Sequence, residues 1–298
     1  MIIVREEREK YSEDMLDPRN DFVFKMLFGQ KKNMDLLLMF LNAILLGTVE
    51  KVLFVNPNLE KENVTDKSSV MDIRVETITG EQINLEIQMQ YHKAFPERML
   101  MYWARMHVSQ DETRKKFIKL KKSIQIVVTN FSYLPSDEFH STFHIIEKDQ
   151  LYIYTDHLEM HVLELPKMTK QMNEDPSQLE KWLLFLKGNK KTKEELAMQE
   201  STFQKAYDEL DRISQDKEMR ARALSRDMFL LDQAMYRQDA REEGLAEGRE
   251  EGREQGKKEG KIEFVKKLYE KGSSPSEIAT LLDLPVLTIE QYLSSGEN

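Results

Sequence analysis

The chain opens with two stretches in which apolar residues recur at helical spacing. The first follows Asp17-Pro18, a pair typical of a helix start because proline suits the first turn, and it contains three phenylalanines. The second covers residues 34–46 and stops at Gly47, a residue type that commonly ends helices. We therefore predict a helical hairpin in the first part of the chain.

The pattern changes to strand character after Val49. β-Branched and aromatic residues predict a strand at 52–55 and two more at 70–77 and 82–90. A turn at Thr79-Gly80 separates the last two strands and joins them into a β-hairpin.

The rest of the pattern predicts a fold of the α/β class. A helix begins at Pro96, residues 123–131 form a strand, and short strands at 142–146 and 151–165 precede a helical remainder. This order predicts a mixed sheet flanked by helices, with a long helical C-terminal tail. The predicted parts are a main domain with a β extension, a helical connector, a glycine-repeat helix and a small helical module, at residues 1–190, 191–240, 241–260 and 261–298.

Glycines at positions 244, 248, 252, 256 and 260 repeat every four residues. On a helix of about 3.6 residues per turn this spacing forms a smooth stripe, and each interior glycine costs about 1 kcal/mol relative to alanine. Close approach of a second helix would offset that cost, whereas a frayed, flexible linker would need no partner. The helix-pairing interpretation predicts a homo-oligomer.

The last part of the chain has a pattern typical of a helix-turn-helix. Residues 262–293 form three amphipathic segments, separated by a Gly-Ser-Ser-Pro sequence at 272–275 and by Leu284-Pro285. A helix that recognises DNA presents basic and amide side chains to bases and phosphates. Because no Lys or Arg occurs at 276–298, we predict a protein-interaction or dimerisation module instead.

Composition limits where the protein is expected to be located and what it is expected to bind. The chain has no cysteine, which excludes thiolate zinc sites and fits a reducing compartment, and its longest apolar stretch is too short to span a bilayer. We therefore expect a cytoplasmic protein without a membrane segment.

The net charge of −9 argues against non-specific coating of nucleic acid. The segment from Arg114 to Lys122 is locally basic, and it is either a solvated turn or a surface for phosphates.

The β-hairpin carries the residues with the clearest chemistry. Glu86 and Gln88 share one face of their strand, because side chains two positions apart point the same way. If a short odd-numbered loop at 78–80 closes the hairpin, Asp72 lies opposite Glu86 and the two carboxylates meet. With the backbone carbonyl of Ile87 they form a partial oxygen shell suited to Mg²⁺ or Mn²⁺. Two solvated surface carboxylates are the alternative interpretation.

A glutamine at position 88 can orient an attacking water or hold a phosphate oxygen, but it supplies no positive charge. Arg98, Tyr102 and Arg105 are spaced four and three residues apart on the next helix, so they share a face. They either contact the phosphate or serve the fold, with Arg98 paired to a carboxylate and Tyr102 packed on the sheet. The spacing leaves both interpretations open.

Several segments, taken in order, resemble a known family. They are residues 17–29 (DPRNDFVFKMLFG), residues 41–45 (LNAIL), Asp72, the Glu-Ile-Gln at 86–88, residues 98–102 and residues 157–167 (HLEMHVLELPK), followed by the glycine repeat. The combination is similar to the recombination-promoting nuclease and transposase family (Rpn-type) of the PD-(D/E)XK nuclease superfamily.

This resemblance implies a restriction-endonuclease-like core, divalent-metal-dependent DNA cleavage, and a link to DNA recombination or mobile elements. It implies that Asp72 and Glu86 are metal ligands, that Gln88 takes the place usually filled by lysine, and that Asp21 completes the metal shell. The glutamine departs from the superfamily pattern. The alternative is therefore a catalytically weak DNA-binding or regulatory relative that acts through an oligomerising tail. Hydrolysis and strand transfer use the same metal chemistry, and both stay open.

Overall fold

The computed structural model describes residues 15–54, 73–110, 120–168 and 175–295. Asp72 and most of the basic segment from Arg114 to Lys122 therefore lie outside the described residues. The chain divides into two compact units, Met1–Phe229 and Leu230–Asn298.

Six strands of the described residues form one mixed sheet, in the order β1-β2-β3-β4-β6-β5. The strands β1, β2 and β3 form an antiparallel meander, β3, β4 and β6 are parallel, and β5 is antiparallel to β6. This sheet is flanked by helices, which confirms the predicted α/β class with a restriction-endonuclease-like core. The strand bounds are β1 (Val52–Phe54), β2 (Ile73–Thr77), β3 (Gln82–Gln88), β4 (Ser123–Thr129), β5 (His140–Ile146) and β6 (Ile153–Glu164).

The hairpin of β2 and β3 is closed by a three-residue loop. Ile73 pairs with Leu85, and residues 78–80 form the loop between the two strands. Gly80 has a φ of +90°, a left-handed conformation that glycine adopts without steric cost. The odd-numbered loop predicted from the sequence is therefore present, and it fixes which residues of the two strands face each other.

The helices are α1 (Asp21–Phe28), α2 (Met34–Ile44), α3 (Phe95–Ser109), α4 (Gln178–Lys187), α5 (Lys190–Gln199), α6 (Ser201–Gln215), α7 (Lys217–Glu270), α8 (Pro275–Leu282) and α9 (Val286–Ser294). The predicted start of α1 at Asp17-Pro18 is wrong. Asn20 is the N-cap, because its side chain accepts hydrogen bonds from the N–H groups of Phe22 and Val23 at 3.0 and 3.2 Å. The proline instead precedes the cap, where its missing N–H costs no helical hydrogen bond.

One face of the sheet packs against α1, α2, α4 and α6. The odd-numbered residues of β3 from 83 to 87 join the buried side chains of these helices in one apolar core. Trp182 of α4 lies in its centre, with its ring 5.5 Å from Phe28, 5.5 Å from Phe40 and 4.8 Å from Phe203 between centroids. Helices that are distant in sequence therefore share one packed interior.

The helices α5 and α6 and the first turns of α7 belong to this core as well. Leu196, Leu210 and Ala223 are buried in it. Residues 191–240 were expected to form a connector outside the main domain. In the structure the first compact unit extends through these helices and ends at Phe229.

The other face of the sheet is covered by α3. Phe95 and Met99 pack on Val127 of β4 and Val162 of β6. Glu86 lies beside Val127 in the pairing of β3 with β4, so its side chain belongs to this face.

The second unit is helical. The end of α7 packs with α8 and α9 around Val265, Ile278, Ala279 and Ile289. The three amphipathic segments predicted from the sequence correspond to these three helices. No helix among the described residues is long and apolar enough to cross a membrane.

The glycine repeat is part of the continuous helix α7. Apart from the adjacent residues and the nearby backbone of the helix itself, no atom of the described residues lies within 4 Å of a Cβ added at any of the five repeat glycines. We expect this open stripe to pair with a second copy of the chain. Light scattering should then show an oligomer for the full chain and a smaller species for a chain ended after Met235. A monomeric full chain would contradict helix pairing.

Histidines of β5 and β6 form a hydrogen-bonded cluster. His140 Nε2 lies 2.9 Å from His161 Nδ1, and His161 Nε2 lies 2.7 Å from a carboxylate oxygen of Glu159. Lys122 pairs with the other oxygen of Glu159. The hydrogen bond from His161 lowers the pKa of Glu159 to about 2, and burial lowers the pKa of His140 to about 4.

The His140 environment predicts a loss of stability at mildly acidic pH. An unfolded histidine has a pKa of about 6.5, so below that pH the unfolded chain binds a proton that folded His140 does not bind until about pH 4. Stability therefore falls as the pH drops through this window. Between pH 7.5 and 5 we expect His140 to account for a loss of about 1–2 kcal/mol. Glu159 loses its contribution only below about pH 4.5.

Urea unfolding at both pH values, compared between the wild type and His140→Gln, measures this effect. The glutamine amide can still donate a hydrogen bond to His161 but does not titrate. We expect a smaller pH dependence in the variant. An unchanged difference between the two pH values would show that His140 is not responsible.

Candidate active site

Glu86 is the buried carboxylate of β3. Its side chain is 2% exposed, and it lies between buried Asn84 and half-buried Gln88 on the face covered by α3. The alternating residues of the same strand are fixed in the apolar core on the other face. Strand alternation therefore holds Glu86 and Gln88 on one side, and Gln88 is the more exposed of the two.

Asp72 lies outside the described residues, directly before Ile73 in the chain. The nearest described pair of the hairpin is Ile73 with Leu85. This is the register that a pairing of positions 72 and 86 requires. The role of Asp72 as the second carboxylate stays a prediction.

Backbone hydrogen bonds orient the carbonyl of Ile87. The Gln88 carbonyl accepts a hydrogen bond from the Asn130 N–H at 2.9 Å, on the β4 side of the strand. Successive carbonyls of a strand point in opposite directions, so the Ile87 carbonyl points to the β2 side. This is the side from which the predicted second carboxylate would come.

The donor set of β3 fits a hard divalent cation. The Glu86 carboxylate and the Ile87 carbonyl are oxygen donors, which Mg²⁺ and Mn²⁺ prefer, and the Gln88 amide adds a third oxygen. Within the part of the chain that the structure describes, no three His, Asp or Glu side chains are grouped as a metal site. The predicted site needs Asp72 to supply a further carboxylate.

Arg98 and Tyr102 lie together on α3. The Arg98 guanidinium is 5.8 Å from the centre of the Tyr102 ring and 5.7 Å from that of Phe95. The Nε of Arg98 is buried and has no hydrogen-bond partner among the described residues. Tyr102 packs against the apolar cluster between α3 and the sheet. Arg105, the third residue of the predicted face, is exposed.

A cavity of about 360 Å³ opens beside Arg98. The residues lining it are His92, Ala94, Glu97, Arg98 and Met101. Among the described residues of this lining, Arg98 carries a positive charge and Glu97 a negative one, so an anionic ligand would have to contact the Arg98 side of the cavity.

Asp21 is held by Arg226 of α7. The Arg226 Nε donates to both carboxylate oxygens of Asp21, at 2.9 and 2.8 Å. The side chain of Asp21 is 13% exposed and that of Arg226 is 19% exposed. A carboxylate keeps further lone pairs beyond these bonds, but a guanidinium beside it opposes a second positive charge. Any metal binding by Asp21 therefore competes with this ion pair.

Arg19 is a further cation near the site. Its Nη1 donates to the Asn130 side chain at 3.1 Å, and the Asn130 N–H donates to the Gln88 carbonyl. A hydrogen bond from Arg19 to Asp17 raises the pKa of Arg19. No local pattern marks this residue, because Asn130 is 111 positions away in the chain.

Three aromatic residues cluster where β3 and β4 end. The Tyr91 ring centre is 5.5 Å from that of Phe131 and 6.3 Å from that of Tyr133. Burial, followed by the nearby charge of Glu164, raises the pKa of Tyr133 to about 12, so this hydroxyl stays protonated at neutral pH. No sequence pattern marks these residues, because they lie beyond the predicted strands in irregular segments.

Residues 18–240 match the family model described as PD-(D/E)XK nuclease family transposase. The match covers most of the chain, and the chain belongs to this family. It includes the whole β2–β3 hairpin, α3 and the ion pair of Asp21 with Arg226. No curated protein and no solved structure matches the chain significantly.

Proposed function

We propose that this protein is a DNA endonuclease that hydrolyses phosphodiester bonds with Mg²⁺, or alternatively Mn²⁺, in DNA recombination or mobile-element activity. Membership of a nuclease family supports this chemistry. The observation that carries the proposal is the position of Glu86. It is a carboxylate of β3, directly after Leu85, which pairs with Ile73 in the hairpin, and an amide follows two residues later at the strand end.

In this proposal some side chains bind the cation and others contact the phosphate or the attacking water. When bound, the cation lowers the pKa of a coordinated water and neutralises charge that develops on the phosphate. Asp72, Glu86 and the Ile87 carbonyl hold it. Gln88 orients the attacking water through its amide oxygen or donates its N–H to a phosphate oxygen.

Positive charge for the phosphate comes from α3 in this proposal. Arg98 borders the cavity and Arg105 is exposed, so both guanidinium groups can contact a DNA backbone. Tyr102 contacts the Arg98 guanidinium and holds its orientation.

A plasmid assay tests the function. Wild-type protein should convert supercoiled plasmid to the nicked form in Mg²⁺, and EDTA should abolish the reaction. Asp72→Ala should be inactive because it removes a metal ligand. Equal nicking by the wild type and by Asp72→Ala would show that this site is not responsible.

A second candidate is a catalytically weak DNA-binding or regulatory relative that acts through its tail. Two observations favour it: the glutamine at the position usually filled by lysine, and the deep burial of Glu86, which is 2% exposed. This candidate predicts DNA binding that needs no metal and survives Glu86→Ala. A gel-shift assay in EDTA, together with the plasmid assay, separates it from the endonuclease.

A further inference from the structure

We propose that Tyr91, supported by Phe131 and Tyr133, stacks on an unpaired nucleobase of single-stranded DNA beside the cleaved phosphate. Together these three residues form an aromatic ledge. The inference rests on the proposed nuclease function and names the substrate class of that same site.

The aromatic ledge lies at the end of the candidate active site. Tyr91 is three residues beyond Gln88, so their Cα atoms are at most about 11 Å apart. Phe131 follows Asn130, whose N–H is hydrogen-bonded to the Gln88 carbonyl at 2.9 Å. The ledge is therefore at the carboxyl ends of the parallel strands β3 and β4, where open α/β sheets commonly bind ligands.

Tyr91 presents its ring to solvent while other rings support it. Its side chain is 51% exposed, and its ring plane is inclined by 29° to Tyr133 and by 69° to Phe131. The fully buried Phe95 anchors this group, with its ring 5.3 Å from Phe131 and 5.1 Å from Tyr133. A tyrosine held in this way keeps an open aromatic face at little further cost in side-chain entropy.

The positively charged side chain of Arg98 follows Tyr91 in the chain, on α3. The cavity beside Arg98 begins at His92, the residue after Tyr91. A nucleotide whose base stacks on Tyr91 can place its phosphate toward Arg98, away from Glu97 on the same cavity wall. Proteins that bind single strands without sequence preference combine aromatic faces for the bases with positive charge for the backbone.

The aromatic ledge distinguishes between single-stranded and duplex substrates. Inside a duplex both faces of each base are covered by neighbouring base pairs. Tyr91 can therefore stack only on a base that is unpaired, terminal or extruded. We infer that the substrate is single-stranded DNA, or a duplex that contains an unpaired segment at the cleavage site.

A binding experiment without cleavage tests this inference. The probe is a short single-stranded oligonucleotide that contains 2-aminopurine, titrated with full-length protein in EDTA. The wild type should quench the fluorescence and bind the single strand at least about fivefold more tightly than the matching duplex. Tyr91→Ala should weaken single-strand binding by at least about fivefold, whereas Tyr91→Phe should retain it because the ring is kept.

Tyr154→Ala is the matched control, because it removes a tyrosine that is 75% exposed on β6. It should leave binding unchanged, and circular dichroism checks the fold of each variant. Wild-type affinity in Tyr91→Ala, or equal affinity of the wild type for single strand and duplex, would overturn the inference. Plasmid nicking that accompanies either result would leave the nuclease function standing. Tyr91-dependent binding, with no Mg²⁺-dependent cleavage of either the single strand or the plasmid, would support the ledge and overturn the nuclease.

Discussion

Glu86→Gln is expected to lower the rate of Mg²⁺-dependent plasmid nicking by at least about a hundredfold. The substitution keeps the size of the side chain and its place on β3 but removes the negative charge that holds the cation. Because Glu86 is 2% exposed, solvent does not screen this charge well, and its loss acts fully on the cation. The rate of nicked-circle formation measures the effect.

Glu76→Gln is the matched control for this experiment. Glu76 lies on the same hairpin, where it pairs with Gln82 at the loop end and accepts a hydrogen bond from the Gln82 side chain at 2.9 Å. Position 82 is four residues from Glu86, or about 13 Å along a strand. We expect Glu76→Gln to nick plasmid within about twofold of the wild-type rate. Wild-type activity in Glu86→Gln would remove the basis of the proposed site.

Trp182→Ala is expected to lower the free energy of unfolding by about 3–5 kcal/mol. Trp182 is 1% exposed and its ring contacts aromatic side chains of α1, α2 and α6, so the substitution leaves a cavity where three helices meet. Urea unfolding followed by far-ultraviolet circular dichroism measures the loss.

The other tryptophan of the chain provides the control. Trp103 of α3 is half-buried and donates a hydrogen bond from Nε1 to the Ser123 carbonyl at 2.9 Å. Trp103→Ala removes less buried surface, so we expect a loss of about 1–2 kcal/mol. A smaller effect at Trp182 than at Trp103 would contradict the central position of α4 in the core.

The β2–β3 hairpin was predictable because its signals are local. Alternation of polar and apolar residues assigns the faces of a strand, and the Thr79-Gly80 turn with its odd loop length sets the register. The structure confirms this register at Ile73 and Leu85. The chemistry expected of Asp72, Glu86 and Gln88 came from the same local pattern.

Contacts between distant segments were not predictable from such signals. The hydrogen bonds of Asn130 with Arg19 and of Asp21 with Arg226 join residues that are 111 and 205 positions apart. The periodicity of polar and apolar residues does not indicate contacts over such separations. The helical pattern at 191–240 predicted the helices correctly. It did not show that their apolar faces pack into the same core as α1.

The contacts of Asn20 tie the first helix to a segment that is made much later. Its side chain caps α1 and also donates to the Ala223 carbonyl at 3.1 Å and to Asp227 at 2.7 Å. During synthesis these partners leave the ribosome about 200 residues after Asn20 itself. The start of α1, with Arg19 just before the cap and Asp21 just after it, therefore reaches its final arrangement only when translation has passed residue 227. Chains that stop earlier lack the carboxylate of Asp227 and the guanidinium of Arg226.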